Sequence, residues 1–188
     1  SMIVQKFVKS PLVWGIHAFA NSDISNLDNM SELRYAISRP GSGSHIMASV
    51  EASYRGQELK ESNFVEVGNI DGAVEALSEG KADILFWEKF TTMPLVQDNT
   101  LKRIGECITP WPCFCIAVRQ EIYDKHLDKI KEMCKIVNEK ALEMKTMENI
   151  VDIISWRYNL RRSHVINWLN ETDWNYKGIE YPLAFDKT

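Results

Sequence analysis

Between residues 35 and 87 three short apolar runs alternate with two helical patterns, and this order restricts the fold more than any other feature of the chain. The runs are Tyr35-Ala36-Ile37-Ser38, Phe64-Val65-Glu66-Val67 and Ala82-Asp83-Ile84-Leu85-Phe86-Trp87. After Ser44, the residues Ile46, Met47, Val50 and Tyr54 recur at helical spacing. A second helix is expected over 70–79, with Ala73, Val74 and Leu77 on its buried side. Asn69 is a good cap for it, and Gly80 a left-handed stop. Strands joined through helices pair in parallel, because no tight turn connects parallel neighbours. The expected fold class is therefore α/β, a mostly parallel sheet flanked by helices.

The link between the first run and the first helix is Ile37-Ser38-Arg39-Pro40-Gly41-Ser42-Gly43-Ser44-His45. A strand that feeds a helix through glycines and serines leaves backbone N–H groups free at the helix start. The helix dipole adds positive potential there. Such a place suits an anionic or polar head group; Ser42 or Ser44 could equally cap the helix with no ligand at all. The spacing is not a dinucleotide fingerprint, since Ile46 stands where a third glycine would be needed.

On either side of this block the chain reads as extended and then helical. Strands are expected over 3–8 and 12–20, broken at Ser10-Pro11, with a loop at Asn21-Ser22-Asp23 and a short turn over 27–33. A loop and short helix follow over 88–97, then a strand over 101–107. Thr109-Pro110-Trp111-Pro112 is rigid and extended, and 113–118 is a further strand. From Glu121 the pattern is helical. One stripe carries Leu127, Ile130, Met133, Cys134, Val137, Ala141 and Met144. A second carries Met147, Ile150, Val151, Ile154 and Tyr158. A third, capped by Ser163, carries Val165, Ile166, Trp168 and Leu169. An aromatic tail with Trp174, Tyr176, Tyr181 and Phe185 is expected to wrap over a surface.

A formal net charge of −4 argues against non-specific nucleic-acid binding. No apolar run is long enough to span a bilayer, so no membrane span is expected. Cys107, Cys113, Cys115 and Cys134 show no CxxC spacing and read as free thiols. His17, inside an apolar run, reads as a structural histidine; His126 and His164 read as surface residues of helices. No Ser/His/Asp or Cys/His triad has a supporting context. Ser1-Met2 reads as a remnant of expression.

The chain resembles the type II periplasmic-binding-protein fold, in the group that takes up sulfonates, nitrate and thiamine-pyrimidine precursors. It is most similar to the Ca3427-like subgroup. The residues that carry the resemblance are Ser10-Pro11-Leu12-Val13-Trp14-Gly15-Ile16-His17, the run from Leu33 to His45, and Asp71-Gly72-Ala73-Val74-Glu75-Ala76-Leu77-Ser78-Glu79-Gly80-Lys81-Ala82-Asp83. Trp111-Pro112-Cys113-Phe114-Cys115 and Arg157-Tyr158-Asn159-Leu160…Trp168-Leu169…Thr172-Asp173-Trp174 continue it. The resemblance implies a first-lobe strand and crossover over 1–20 and a second α/β lobe over 21–108. It gives a return crossover, helices and tail packing on the first lobe over 109–188. It also implies that an N-terminal half-lobe is missing from this chain.

What the resemblance implies for function is a non-catalytic substrate-binding protein of an ABC transporter, closing by hinge bending over a small sulfonate, oxyanion or pyrimidine-like ligand. The partners would be that ligand and an ABC permease, with no cofactor and no metal. The expected ligand-binding residues are Gly41, Ser42, Gly43, Ser44, His45, Trp14, Trp87, Glu88 and Trp111. Trp14 and Trp111 would offer aromatic faces, and Glu88 an acceptor at the carboxyl end of its strand. A different class is implied by similarity to fungal thiamine-pyrimidine-precursor synthases, which carry a Cys-Cys-Cys-Phe-Cys motif near iron. Here Trp111 and Pro112 precede Cys113-Phe114-Cys115, so two thiols of that motif are replaced. An intracellular sensor or scaffold is the third alternative.

Overall fold

The computed structural model describes residues 1–175. Two compact units divide the chain: Val13–Thr109, and Ser1–Leu12 with Pro110–Thr188. Tyr176, Tyr181 and Phe185 of the expected aromatic tail lie outside the described residues. Five strands form one sheet in the order β3-β2-β4-β1-β5, with β1 at Met2–Phe19, β2 at Tyr35–Ile37, β3 at Phe64–Glu66, β4 at Ile84–Glu88 and β5 at Leu101–Val118. β2 pairs in parallel with both β3 and β4, and β1 runs antiparallel to β4. The expected α/β class is observed.

Two expected interruptions are absent. β1 runs unbroken through Ser10-Pro11, and β5 runs unbroken through Pro110 and Pro112. A proline deletes only its own N–H, so a long strand tolerates one where that group would stay out of the ladder.

In the unit Val13–Thr109 the alternation of strand side chains builds two apolar layers. On one face Ile16, Ala18, Tyr35, Ile84 and Phe86 pack on Met47, Ala48 and Ala52 of α1, which spans Gly43–Tyr54. The buried face of α1 is Ser44, Met47, Ala48, Glu51 and Ala52, one step round from the expected stripe; Ile46 and Tyr54 are exposed. On the other face Ala36 and Leu85 pack on Ala73, Ala76 and Leu77 of α2, Ile70–Ser78. Each fully buried leucine or methionine contributes about 1.5–3 kcal/mol. Asn69 caps α2 as expected, its Oδ1 accepting from the Gly72 N–H at 2.9 Å, and Gly80 takes φ +66° beyond the helix end. α3 is one short turn, Met93–Gln97.

The other unit contains the first part of β1, the last part of β5, and three helices: α4 at Gln120–Thr146, α5 at Ile150–Tyr158 and α6 at Arg162–Glu171. Val8, Ala141, Ile150, Ile154, Val165, Leu169 and Trp174 form one buried cluster, and Val4, Ile130 and Cys134 another. α4 has non-helical backbone at His126, and Met133 of its expected stripe is exposed. Ser163 lies inside α6 rather than at its cap, a place taken by Arg161. A buried amide pair crosses this unit. Gln5 Nε2 donates to Asn138 Oδ1 at 2.7 Å, and Asn138 Nδ2 donates back to Gln5 Oε1 at 3.3 Å.

Candidate functional site

The loop between β2 and α1 turns at Gly41, whose φ of +73° lies in the left-handed region that glycine adopts at little cost. Ser42 is the N-cap, yet its side chain makes no capping bond to the helix. Instead both serine hydroxyls turn inward and are buried. The Ser38 N–H donates to Ser44 Oγ at 3.1 Å, the Arg39 N–H reaches Ser42 Oγ at 3.5 Å, and the two hydroxyls lie 3.0 Å apart. One hydroxyl donates to the other, which leaves one hydroxyl hydrogen over. The Ile46 N–H closes the first helical bond onto Ser42 O at 2.9 Å. Among the described residues the backbone N–H groups of Gly43, Ser44 and His45 have no such partner. Capping by a serine side chain, the alternative to a ligand, is therefore not what this helix start uses.

His45 is oriented from two sides. Its Nδ1 accepts from the Gly41 N–H at 2.9 Å, so in the neutral ring Nε2 carries the proton. Its ring meets Phe64 edge-on with centroids 4.3 Å apart. Phe64, Ser38 and Arg39 were not among the expected site residues; Ser38 and Arg39 lie in the loop and act through their backbone N–H groups, whereas nothing in the local sequence marks Phe64.

Trp14 stands against this loop. A Cβ on Gly43 would lie 2.4 Å from Trp14 Cη2, so the absence of a side chain at Gly43 is what admits the indole. The Trp14 Nε1–H is buried and finds no acceptor among the described residues. Trp14 pairs in register with Glu88 across β1 and β4, and directly opposed residues share a face. The Glu88 carboxylate is turned into its own chain, accepting from the Phe90 N–H at 3.1 Å and the Thr91 N–H at 2.8 Å.

The structure brings Trp14, Gly41, Ser42, Gly43, Ser44 and His45 to the face of the sheet that carries α1, with Glu88 opposite Trp14. Trp87 is one residue from Glu88 and so points to the opposite face, where it packs beside the α2 cluster. Trp111 is an exposed residue of β5 in the other unit.

On the Trp87 face His17 is fully buried, the structural histidine expected. Its Nδ1–H donates to the Leu85 carbonyl at 3.3 Å, and Nε2 accepts from the Thr92 hydroxyl at 2.9 Å. Arg103 Nε lies 3.4 Å from the same Nε2. Burial, helped by the Arg103 charge, lowers the His17 pKa to about 4. Neither Thr92 nor Arg103 carries a sequence signal that would have gathered them here. Elsewhere burial, with Glu51 nearby, pushes the Cys107 thiol up to about 12, which makes it inert. Among the described residues no group of three or more His, Cys, Asp or Glu side chains could hold a metal ion. No described helix is long and apolar enough to cross a membrane.

A mostly parallel sheet with helices on both faces, entered and left by β1 and β5, is the type II periplasmic-binding-protein fold. A family model described as Ca3427-like PBP matches residues 14–107. The chain belongs to that family.

Solved structures show the same fold. The Candida albicans CA3427 gene product, described as defining a new family with the generic periplasmic-binding-protein fold, aligns at TM-score 0.84 and 22% identity. The alignment covers 94% of this chain and 59% of that one. The alkanesulfonate-binding protein SsuA from Xanthomonas axonopodis pv. citri, bound to MOPS, aligns at TM-score 0.69 and 11% identity, covering 90% and 62%. The aliphatic sulphonate-binding SsuA from Escherichia coli aligns at 0.56 and 16%, covering 90% and 58%. The chain thus spans about three fifths of the length of these structures. No curated protein sequence matches it.

Proposed function

We propose that this chain is the anion-gripping part of a non-catalytic small-molecule-binding protein. One observation carries the reading: among the described residues, several N–H donors without partners gather at the start of α1, beside the β2–α1 loop. Three first-turn N–H groups and the His45 Nε2–H face no acceptor in the described residues, and the buried Ser42 and Ser44 hydroxyls brace the loop that presents them. A ligand that only accepts, such as a sulfonate or another oxyanion, matches that set. The helix dipole favours its charge. The likeness to two sulfonate-binding proteins supports the same class.

The remaining parts of the reading are supported by the likeness in fold to longer binding proteins. In this reading a half-lobe like that of the longer binding proteins lies opposite the loop. Bending at β1 and β5 closes the two lobes over the ligand, and an ABC permease receives it. The test is a thermal-shift screen of the full-length protein with alkanesulfonates, sulfate, nitrate and pyrimidines. A sulfonate or oxyanion raises the melting temperature, and the Ser42→Ala/Ser44→Ala double variant loses the response. A response that survives the double variant unchanged refutes the role given to this loop.

A further inference from the structure

The turn that joins β4 to α3 is fastened from below by groups far apart in sequence. Arg103 NH2 donates to the Lys89 carbonyl at 2.5 Å and lies 3.1 Å from Met93 Sδ. The Lys89 N–H donates to the Val13 carbonyl at 3.1 Å. Thr92, fully buried, gives its hydroxyl to His17 Nε2. His17 in turn is anchored through Nδ1–H on Leu85 of the central strand. Gly15 makes the room: a Cβ there would stand 2.4 Å from His17 Cε1 and 3.0 Å from Arg103 Nε.

The arrangement works only with a bare Nε2. Leu85 offers a carbonyl, which can only accept, so the single proton of the neutral ring sits on Nδ1. Nε2 then faces two donors, the Arg103 Nε–H at 3.4 Å and the Thr92 hydroxyl at 2.9 Å, whose hydrogen also has the Glu88 and Lys89 carbonyls within 3.2 Å. A second proton on Nε2 sets a cation against the Arg103 Nε–H, 3.4 Å away, in a buried place, and so pushes away the guanidinium that holds the Lys89 carbonyl; Thr92 can meet that proton by giving its own hydrogen to the Glu88 or Lys89 carbonyl, each 3.2 Å away.

We propose that His17 is a proton-sensitive pin, and that protonation of its Nε2 frees the Glu88–Thr92 turn and the start of α3 from the sheet. The charged groups that face it are known from each element around it. β5 brings Arg103 and Glu106, which lie 3.4 Å apart. The turn brings Glu88 and Lys89, with Lys89 Nζ 3.7 Å from Glu106. α3 brings Met93 and its cap Thr92, and β4 brings the Leu85 carbonyl, none of them charged. The two carboxylates are already engaged: Glu106 by Arg103 and Lys89, and Glu88 by the turn's own N–H groups. Among the described residues, both carboxylates of this shell thus have other partners. The low pKa of His17 agrees with this geometry. The pin holds whether or not the β2–α1 loop binds an anion.

The test is ¹⁵N NMR of the 188-residue chain between pH 7.5 and 3.5. At neutral pH the His17 ring nitrogens should report the Nδ1–H tautomer. As pH falls, the amides of Lys89, Phe90, Thr91 and Thr92 should shift with the same midpoint as His17, before the amides of α2 move. His17→Gln, whose amide oxygen can still accept from Thr92, should abolish that early step. Arg103→Gln should raise the midpoint by about one pH unit, because the facing cation is gone. The proposal is overturned by an Nε2–H tautomer, by turn amides that ignore the His17 titration, or by an early step that persists in His17→Gln. If His17→Gln does not fold, an unchanged midpoint in Arg103→Gln overturns it alone.

Discussion

The indole of Trp14 lies against the backbone of Gly43, so close that an added Cβ would stand 2.4 Å from Cη2. Gly43 is the first residue of α1, a place where most side chains would be tolerated were the ring not there. Gly43→Ala is therefore expected to destabilise the chain by about 1–3 kcal/mol, the usual cost of overpacking. Chemical denaturation followed by tryptophan fluorescence measures it. In the Trp14→Ala background the same substitution should cost little, and equal costs in both backgrounds would show that the contact is not the cause.

His17 links stability to pH. Its folded pKa of about 4 lies below the ordinary histidine value of 6.5, so the unfolded chain takes up the proton first. Stability is fully present above pH 6.5 and falls as pH drops from there towards 4. The loss at pH 5 is about 2 kcal/mol from this one group. Urea midpoints between pH 7 and 5 should show it, and a flat dependence that matches His17→Gln would contradict the assignment.

Asn69 holds the first turn of α2 through its 2.9 Å bond to the Gly72 N–H. Asn69→Ala should lower stability by about 1 kcal/mol, and Asn69→Asp by much less, since aspartate caps equally well. Thermal melts of the three proteins separate these outcomes.

Gln5 and Asn138 pair their amides where both are buried. Removing one partner alone, as in Asn138→Ala, leaves the buried Gln5 Oε1 without its donor, while Gln5 Nε2 keeps the Asn175 carbonyl at 3.3 Å, and should cost about 1–3 kcal/mol. Gln5→Leu combined with Asn138→Leu should cost less than the sum of its two single changes. A strictly additive double-mutant cycle would mean the amides do not cooperate.

The parts of this fold that were legible in the sequence are those fixed locally. Asn69 and Gly80 bracket α2 by short-range chemistry, and the strand–helix alternation over 35–87 follows from spacing alone. The continuity of β1 and β5 was not legible, because Pro11, Pro110 and Pro112 argue against a strand unless the ladder is known. The site divides the same way. Trp87 and Glu88 were read together as neighbours in sequence, yet adjacent strand residues point to opposite faces. The inward turn of Ser42 and Ser44 is set by the Ser38 and Arg39 N–H groups of the same loop, bonds that depend on its backbone path and not on the identity of those two side chains.

The division of the chain into units has a consequence for its synthesis. The unit Val13–Thr109 is one uninterrupted stretch, whereas its companion joins the first dozen residues to those after Thr109. On a ribosome, which delivers the N-terminus first, the contiguous unit has all its residues in hand while α4, α5 and α6 are still unmade. Gln5 must meanwhile wait for Asn138, and Val8 for Trp174. Birth order thus lets the unit with the β2–α1 loop fold before its companion, and leaves the first part of β1 in need of shelter until α4, α5, α6 and Trp174 have been made.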